Sequence, residues 1–294
     1  GKLSYINNKI KLHEFTISGR ELHSEVDLEY NLHNQLLTGS IIHQDNSLSE
    51  IAKYFTEINS GQLYFKSIFG QDGNKQTFRL NGQITDLSSK FGFIDNIILD
   101  VYSPSLSEKN FSKLSILLQY FMVQDFLIKE ISFNAKSINK QLEFISNITS
   151  HNSCLMAINS RGNIDFTNGT KITIPSIDGK FGSSEIKLTK PLNITLLPEP
   201  ITSKNIFYID IDKLKIGNGA ITLHAEVNPD KISSRLDLHN IPTDLCDKFL
   251  TNNLRNNLIN GQASLEGSLL SPVLKTNFEI SKQSEVSTPI KMII

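Results

Sequence analysis

Apolar and polar residues alternate at every second position along much of this chain, and this pattern restricts the fold more than any other feature. In "NGQASLEGSLLSPVLKTNFEIS" (260–281), Ala263, Leu265, Gly267 and Leu269 alternate with polar neighbours, and the pattern resumes after a break at Ser271-Pro272. A period of two places successive side chains on opposite faces of a β-strand. The segment therefore predicts strands with one apolar face and one polar face.

The same alternation recurs from the first third of the chain onward. Its apolar members are Val26, Leu28, Tyr30 and Leu32; Phe78, Leu80, Gly82 and Ile84; Phe207, Ile209 and Ile211; Ile221, Leu223, Ala225 and Val227; and Leu236 and Leu238. Hairpin-type breaks lie between the runs, at 70–74, Asn168-Gly169, Asp178-Gly179, 217–219 and 228–230. Consecutive hairpins form a meander. We therefore predict a mainly β chain built as one long antiparallel sheet over 1–294, without a clear domain boundary.

Three segments carry helical patterns. Residues 47–58 begin with a capping box from Ser47 to Glu50, and residues 107–121 place Phe111, Leu114, Leu118 and Phe121 on one stripe. In 242–250, Pro242 stands near a helix start and is followed by Leu245 and Phe249. We expect short helices there that cap the sheet.

Composition and charge exclude several classes of protein. The 294 residues carry 29 Lys and Arg against 30 Asp and Glu, a net charge of -1 without a basic run, so we expect no nucleic-acid partner. The chain begins "GKLSYINN", without a leader or an apolar span, which indicates a cytosolic protein or a piece of a longer one. Cys154 and Cys246 form no metal or redox motif; two separate thiols or one disulfide both fit.

The sequence offers no motif for catalysis. His13, His23, His33 and His43 stand ten residues apart, which suits a metal array or a strand-and-turn repeat that exposes polar residues; the repeat is favoured because ligand-spaced partners are missing. GxSxG, Walker and GxGxxG sequences are absent. We therefore expect no enzyme activity, no cofactor, no metal site and no catalytic residue.

Residues 207–281 follow the motif order of a known family. The segments are "IDKLKIGNGAITLHAEV", "SSRLDLHNIPTDLCDKFL" and "NLINGQASLEGSLLSPVLKTNFEIS", preceded by a Lys190-Pro191 step. This order resembles the TamB family of the translocation and assembly module, relatives of the AsmA-like proteins. Gly261, Gly267 and Pro272 occupy the Gly, Gly and Pro positions of the family signature. Asn and Lys stand where many members carry Asp, Arg or Gly.

The resemblance implies a long curled sheet, the β-taco, whose inner apolar groove carries phospholipid from the inner to the outer membrane and supports outer-membrane assembly and protein secretion. It also implies a periplasmic location, an inner-membrane anchor outside this chain, and an outer-membrane TamA-like β-barrel partner reached through regions outside this chain. The alternative is a structural or interaction β module, a solenoid or sandwich whose apolar face is its core. The candidates for contact with acyl chains are Phe207, Ile209, Ile211, Ile221, Leu223, Leu236, Leu238, Leu265, Leu269, Leu274 and Phe278.

Overall fold

The computed structural model describes residues 1–48, 58–90, 92–106, 112–123, 126–138, 141–150, 156–198, 205–246, 257–282 and 290–292. Within these ranges the chain forms β-strands and one short 3-10 helix, and it divides into two compact units, residues 1–142 (unit 1) and 143–294 (unit 2). No helix in the described ranges is long and apolar enough to cross a membrane.

Unit 1 is an antiparallel meander in which each strand pairs with the next one along the chain. Its strands are β1 (Lys2–Ile6), β2 (Lys9–Ser18), β3 (Leu22–Asn31), β4 (Leu36–Asp45), β5 (Ile58–Asp72), β6 (Lys75–Ser89), β7 (Gly92–Ser103), β8 (Lys113–Val123) and β9 (Phe126–Ile138).

Unit 2 is also antiparallel, and its boundary at 142/143 falls within its first strand. Its strands are β10 (Gln141–Ser150), β11 (Met156–Asp165), β12 (Thr170–Phe181), β13 (Ser184–Leu188), β14 (Leu192–Pro198), β15 (Asn205–Ile216), β16 (Gly219–Val227), β17 (Lys231–Pro242), β18 (Asn257–Ser268), β19 (Ser271–Lys282) and β20 (Ile290–Met292). Both β13 and β14 lie between β12 and β15, so they act as one strand interrupted at Lys190-Pro191. The 3-10 helix Thr243–Cys246 follows β17.

The mainly β antiparallel fold is confirmed, but the helix predictions are only partly correct. Residues 113–121 are strand, paired with β7 and β9, so the helix predicted over 107–121 is wrong in its described part. The first residues of that segment, including Phe111, lie outside the described residues, as do 49–57 of the predicted helix 47–58, whose last residue starts β5. Helix over 242–250 is confirmed only as the 3-10 helix Thr243–Cys246; 247–250 are not described.

Most predicted turns are correct, and two are misplaced. Asp178-Gly179 lies inside β12, and the chain turns instead after Phe181, at Gly182, whose φ is 61°. Gly179 allows the backbones of β12 and β11 to pack closely, because a Cβ there would lie 2.1 Å from the carbonyl oxygen of Ala157. The β18–β19 turn consists of Leu269 and Leu270, whereas Ser271-Pro272 already belongs to β19.

Several strands of unit 2 carry an extra residue at a similar level. Register shifts fall between Ile211 and Leu214 of β15 and between Leu238 and Ile241 of β17, close to the break at Lys190-Pro191. Bulges bend a strand and increase its twist. Asn240, within the β17 bulge, has the positive φ (48°) that such bulges often require. We therefore expect β15 and β17 each to bend locally at this level.

Candidate functional site

The apolar face of unit 2 is built from residues paired directly across neighbouring strands. In an antiparallel sheet, directly paired residues project from the same face. Four rows of paired residues result: Leu214, Ile221, Leu238, Gly261 and Phe278; Ile211, Leu223, Leu236, Ala263 and Thr276; Ile194, Ile209, Ala225, Ser234, Leu265 and Leu274; and Leu196, Phe207, Val227, Ile232, Gly267 and Pro272.

The structure places ten of the eleven acyl-chain candidates on this one face. The predicted separation of Ile209, Leu223, Leu236 and Leu265 from their polar neighbours is confirmed by the register. Leu269 is the exception: it lies in the β18–β19 turn and not on the sheet. The two-residue turn sets this boundary, because Ser268 pairs with Ser271 and closes the ladder.

The candidates are accessible despite lying in paired strands. Nine of the eleven are half-buried, Leu269 and Leu274 are exposed (45% and 59%), and none belongs to the buried core. β15, β16, β17 and β18 each have a partner strand on both sides. Residues at the centre of a sandwich become fully buried once a second sheet covers them. The described residues provide no such cover over the middle of this face.

One edge of the face is closed. The closed margin is the end of unit 2 where Ile186, Ile216 and Ile241 form a buried cluster. Leu245, in the 3-10 helix, packs against this cluster. The helix is held to β18 because the Thr243 hydroxyl donates to the Asn257 carbonyl and accepts from the Asn257 amide, both at 3.1 Å. The described part of the helix predicted over 242–250 thus covers this end of the sheet through Leu245.

The three signature positions have structural roles. A Cβ at Gly261 would lie 2.3 Å from Cδ1 of Phe278, so the glycine makes room for the Phe278 ring. Gly267 has a φ of 124°, a conformation that other residues rarely adopt, just before the turn. Pro272 pairs with Gly267 at the start of β19, where a missing amide proton is tolerated.

The opposite face of unit 2 is polar and largely satisfied by its own ion pairs. His224 and Asp210 pair through Nδ1 and Oδ1, both about half exposed, and Lys190 Nζ lies 2.7 Å from Asp212 Oδ2. This contact with Lys190 lowers the pKa of Asp212 and raises that of Lys190. A shallow depression of about 590 Å³ lies on this face, lined by Asp210, His224, Glu226, Arg235 and Glu266 among others.

Asp237 is the best-connected carboxylate of the polar face. Arg235 donates to it from Nε (3.0 Å) and Gln262 from Nε2 (2.5 Å), and the Thr222 hydroxyl lies 3.4 Å away. Hydrogen bonds from Arg235 and Gln262 lower the pKa of the Asp237 carboxyl. These contacts connect β16, β17 and β18.

Unit 1 has its own apolar face, which the sequence analysis did not single out as a site. Its rows include Phe15, Val26, Ile41, Ser67, Leu80, Val101, Leu114 and Ala135; and Leu63, Ile84, Ile97, Leu118 and Ile131. The alternation of 26–32 and 78–84 already predicts this face, whereas the motifs that resemble TamB, and with them the acyl-chain candidates, lie in 207–281. Leu118 was missed because β8 was assigned to helix.

A polar pair interrupts the apolar face of unit 1. His43 pairs in register with Ser24 and Phe65. Its Nδ1 lies 2.8 Å from the Ser24 hydroxyl, and its ring lies 5.0 Å from that of Phe65. His13 and His23 instead pair with Asp27 and Glu25 on the polar face, both about half exposed. The described residues contain no group of three or more His, Cys, Asp or Glu side chains that could hold a metal ion.

Neither cysteine side chain belongs to the part of the chain that the structure describes. Cys154 lies outside the described residues, and of Cys246 only the backbone, in the 3-10 helix, is described. The choice between two separate thiols and one disulfide stays a prediction.

Comparison with protein-family models, with curated proteins and with solved structures finds no match for this chain. The resemblance to TamB consequently rests on the order of sequence motifs alone. The class that the geometry defines is a mainly β protein with an accessible apolar sheet face.

Proposed function

We propose that the apolar face of unit 2 binds phospholipid acyl chains and passes them along the sheet. The observation that carries the proposal is that Ile209, Leu223 and Leu236 are only half-buried although they lie in strands paired on both sides. Apolar surface left in water is unfavourable by about 25 cal/mol per Å². A ligand with its own apolar surface removes this penalty.

The energetics of lipid transfer suit such a face. A sixteen-carbon acyl chain in water costs about 12 kcal/mol at roughly 0.8 kcal/mol per methylene. Rows of similar Ile, Leu, Val and Phe side chains provide many nearly equivalent positions, spaced by about 4.8 Å from strand to strand. A chain can therefore move across the sheet without returning to water, and the process requires no catalytic residue, metal or cofactor.

In the setting that the TamB resemblance suggests, this chain is the periplasmic part of an inner-membrane-anchored bridge that carries phospholipid to the outer membrane. The anchor and the surface for a TamA-like β-barrel would lie in regions outside this chain. The competing proposal is a structural or interaction β module with a role in secretion or assembly. Its support is the buried cluster at Ile186, Ile216 and Ile241, which shows that part of the face does serve as a core.

Two neighbouring substitutions separate these proposals. Leu223→Arg places a charge on the apolar face, whereas His224→Arg places one on the exposed polar face of the same strand. We expect Leu223→Arg to reduce phospholipid retained after purification, measured by native mass spectrometry, by tenfold or more. Its melting temperature should remain within a few degrees of the parent, because the charged head can reach water from a half-buried position.

The competing proposal predicts a different result. If the face is a core, Leu223→Arg buries an unpaired charge at a cost of several kcal/mol and the melting temperature collapses. Parent, Leu223→Arg and His224→Arg proteins would then all lack bound lipid. Lipid in the parent and in His224→Arg, with none in a folded Leu223→Arg, supports binding of lipid to the apolar face.

A further inference from the structure

Exposed apolar side chains in unit 2 are concentrated at one edge of the sheet. Among the described residues of this unit, seven large apolar side chains are exposed, and six of them lie at the strand ends opposite the closed margin: Phe166, Leu197, Leu269, Leu270, Val273 and Leu274. We call this edge the open margin. Of the seven apolar residues that are buried in the described part of unit 2, four lie at the closed margin: Met156, Ile186, Ile216 and Ile241. The apolar face is therefore covered at one edge and accessible at the other.

The β18–β19 hairpin tip is the most exposed part of the open margin. Leu270 is 99% exposed, and Val273 and Leu274 are exposed by 55% and 59% on opposite faces of β19. Two-residue turns usually contain Gly, Asn or Asp. Neither turn leucine has the positive φ that such residues accommodate. The fold therefore gives no reason for the leucine at 270, whose side chain lies almost entirely in solvent.

Charges near the tip balance one another. Asp230 and Lys231 lie in and beside the neighbouring β16–β17 turn, and Glu266 and Lys275 lie on the two strands of the hairpin itself. The Leu269 amide donates to the Asp230 carbonyl at 3.3 Å, which ties the two turns together. Two acids and two bases provide no net attraction for an anionic or cationic partner. The tip is therefore an exposed hairpin with apolar side chains on both faces.

We propose that the open margin, led by Leu270 and Val273, inserts into the surface of a phospholipid bilayer. This inference rests on the proposed function, and it gives the edge at which lipid reaches the apolar face of unit 2. Leu274 pairs with Leu265, Leu265 with Ser234, Ser234 with Ala225, and Ala225 with Ile209, so one row leads from the tip to the middle of the face. A bilayer fits this margin better than a protein partner, because the tip offers apolar surface continuous with the acyl-chain row and no net charge.

Tryptophan fluorescence tests the insertion directly, because the chain contains no tryptophan. Leu270→Trp places a single reporter at the tip, and Asn218→Trp places one at the β15–β16 turn of the closed margin. With vesicles of phosphatidylcholine we expect a blue shift for Leu270→Trp, quenched by lipids brominated on their acyl chains, and neither effect for Asn218→Trp. Raising the salt concentration or adding anionic phosphatidylglycerol should change the binding less than twofold.

A loss variant completes the test. Leu270→Ser/Val273→Ser should reduce vesicle binding in flotation by about tenfold or more. Binding of dissolved short-chain phosphatidylcholine, measured by calorimetry, should remain unchanged. If Leu270→Trp gives no shift with vesicles, or shifts with protein concentration alone, bilayer insertion is overturned, in the second case in favour of self-association. Failure to bind the dissolved lipid would overturn the proposed function itself.

Discussion

Gly39 and Gly82 both lie on the apolar face of unit 1, but they have different structural roles. Gly39 has a φ of 122°, and a Cβ there would lie 2.0 Å from the Asp27 carbonyl oxygen. Gly82, on the same face, has no such restriction, and the nearest atom to its Cβ would be at 3.7 Å. The first glycine therefore allows two backbones to approach, whereas the second only leaves a gap between Phe65 and Leu99.

Alanine substitutions should reveal this difference. We expect Gly39→Ala to lower the free energy of unfolding by more than about 2 kcal/mol, through both the backbone conformation and the clash. Gly82→Ala should be neutral or stabilising by up to about 1 kcal/mol, because glycine weakens a strand. Urea denaturation of both variants measures this. Equal losses would show that the close approach at Gly39 is not made.

Because of Asp237, the stability of the fold should depend on pH in the acid range. Its folded-state pKa is lowered, first by the hydrogen bond from Arg235. A lowered pKa stabilises the fold above the unfolded value of about 3.9, and this contribution is lost as the pH falls through the folded pKa. The stability difference between parent and Asp237→Asn should therefore shrink as the pH falls below about 4. A stability difference that grows as the pH falls would contradict a lowered pKa of Asp237. We expect a modest effect, because the side chain is 35% exposed and solvent screens the pair.

At the scale of elements, strand existence could be predicted from the sequence more reliably than strand ends. Alternation identified β15 to β19 because each has one polar face. It did not identify β8, "KLSILLQYFMV", because apolar residues occupy both faces of that strand and Leu114, Leu118 and Phe121 also match a helical stripe. Both periods fit a short apolar run, and the pairing with β7 and β9 decides between them. Local sequence cannot display that pairing.

The candidate site shows a similar limit. Period two placed ten of the eleven candidates on the correct face, because a register slip would have reversed whole strands. It misplaced Leu269, since a Leu-Leu turn lacks the Gly, Asn or Asp that usually marks a hairpin. The difference between the margins depends on Leu245 packing onto strands that lie far from it in the chain, and no periodicity reports such contacts.

The closed and open parts of the face should respond differently to truncation. Ile216→Ala removes a buried side chain from the closed margin, and we expect a loss of about 2 to 5 kcal/mol in the free energy of unfolding. Leu223→Ala, in the half-buried middle, should cost only about 1 kcal/mol, because water already reaches that side chain. Thermal or urea unfolding of lipid-free protein provides the comparison. A similar cost at both positions would indicate that the middle of the face is covered.

At the scale of the whole molecule, each of the two units has a meander with one apolar face. The two faces are not equivalent. In unit 1 a Ser24 and His43 pair interrupts the apolar rows, whereas the middle row of unit 2 contains only Ser234 as a polar member between Ile194 and Leu274. The single groove segment over 1–294 stays a prediction, and the proposed lipid-binding face belongs to unit 2.

Photocrosslinking on β15 tests lipid contact most directly. Ile209 and Asp210 are neighbours on opposite faces of this strand, so a photoreactive benzoylphenylalanine at either position differs only in the face it samples. After incubation with phospholipid vesicles and irradiation, we expect a phospholipid adduct by mass spectrometry from position 209 and none from position 210. Adducts in equal amounts from both positions, or none from either, would contradict binding of acyl chains to the apolar face.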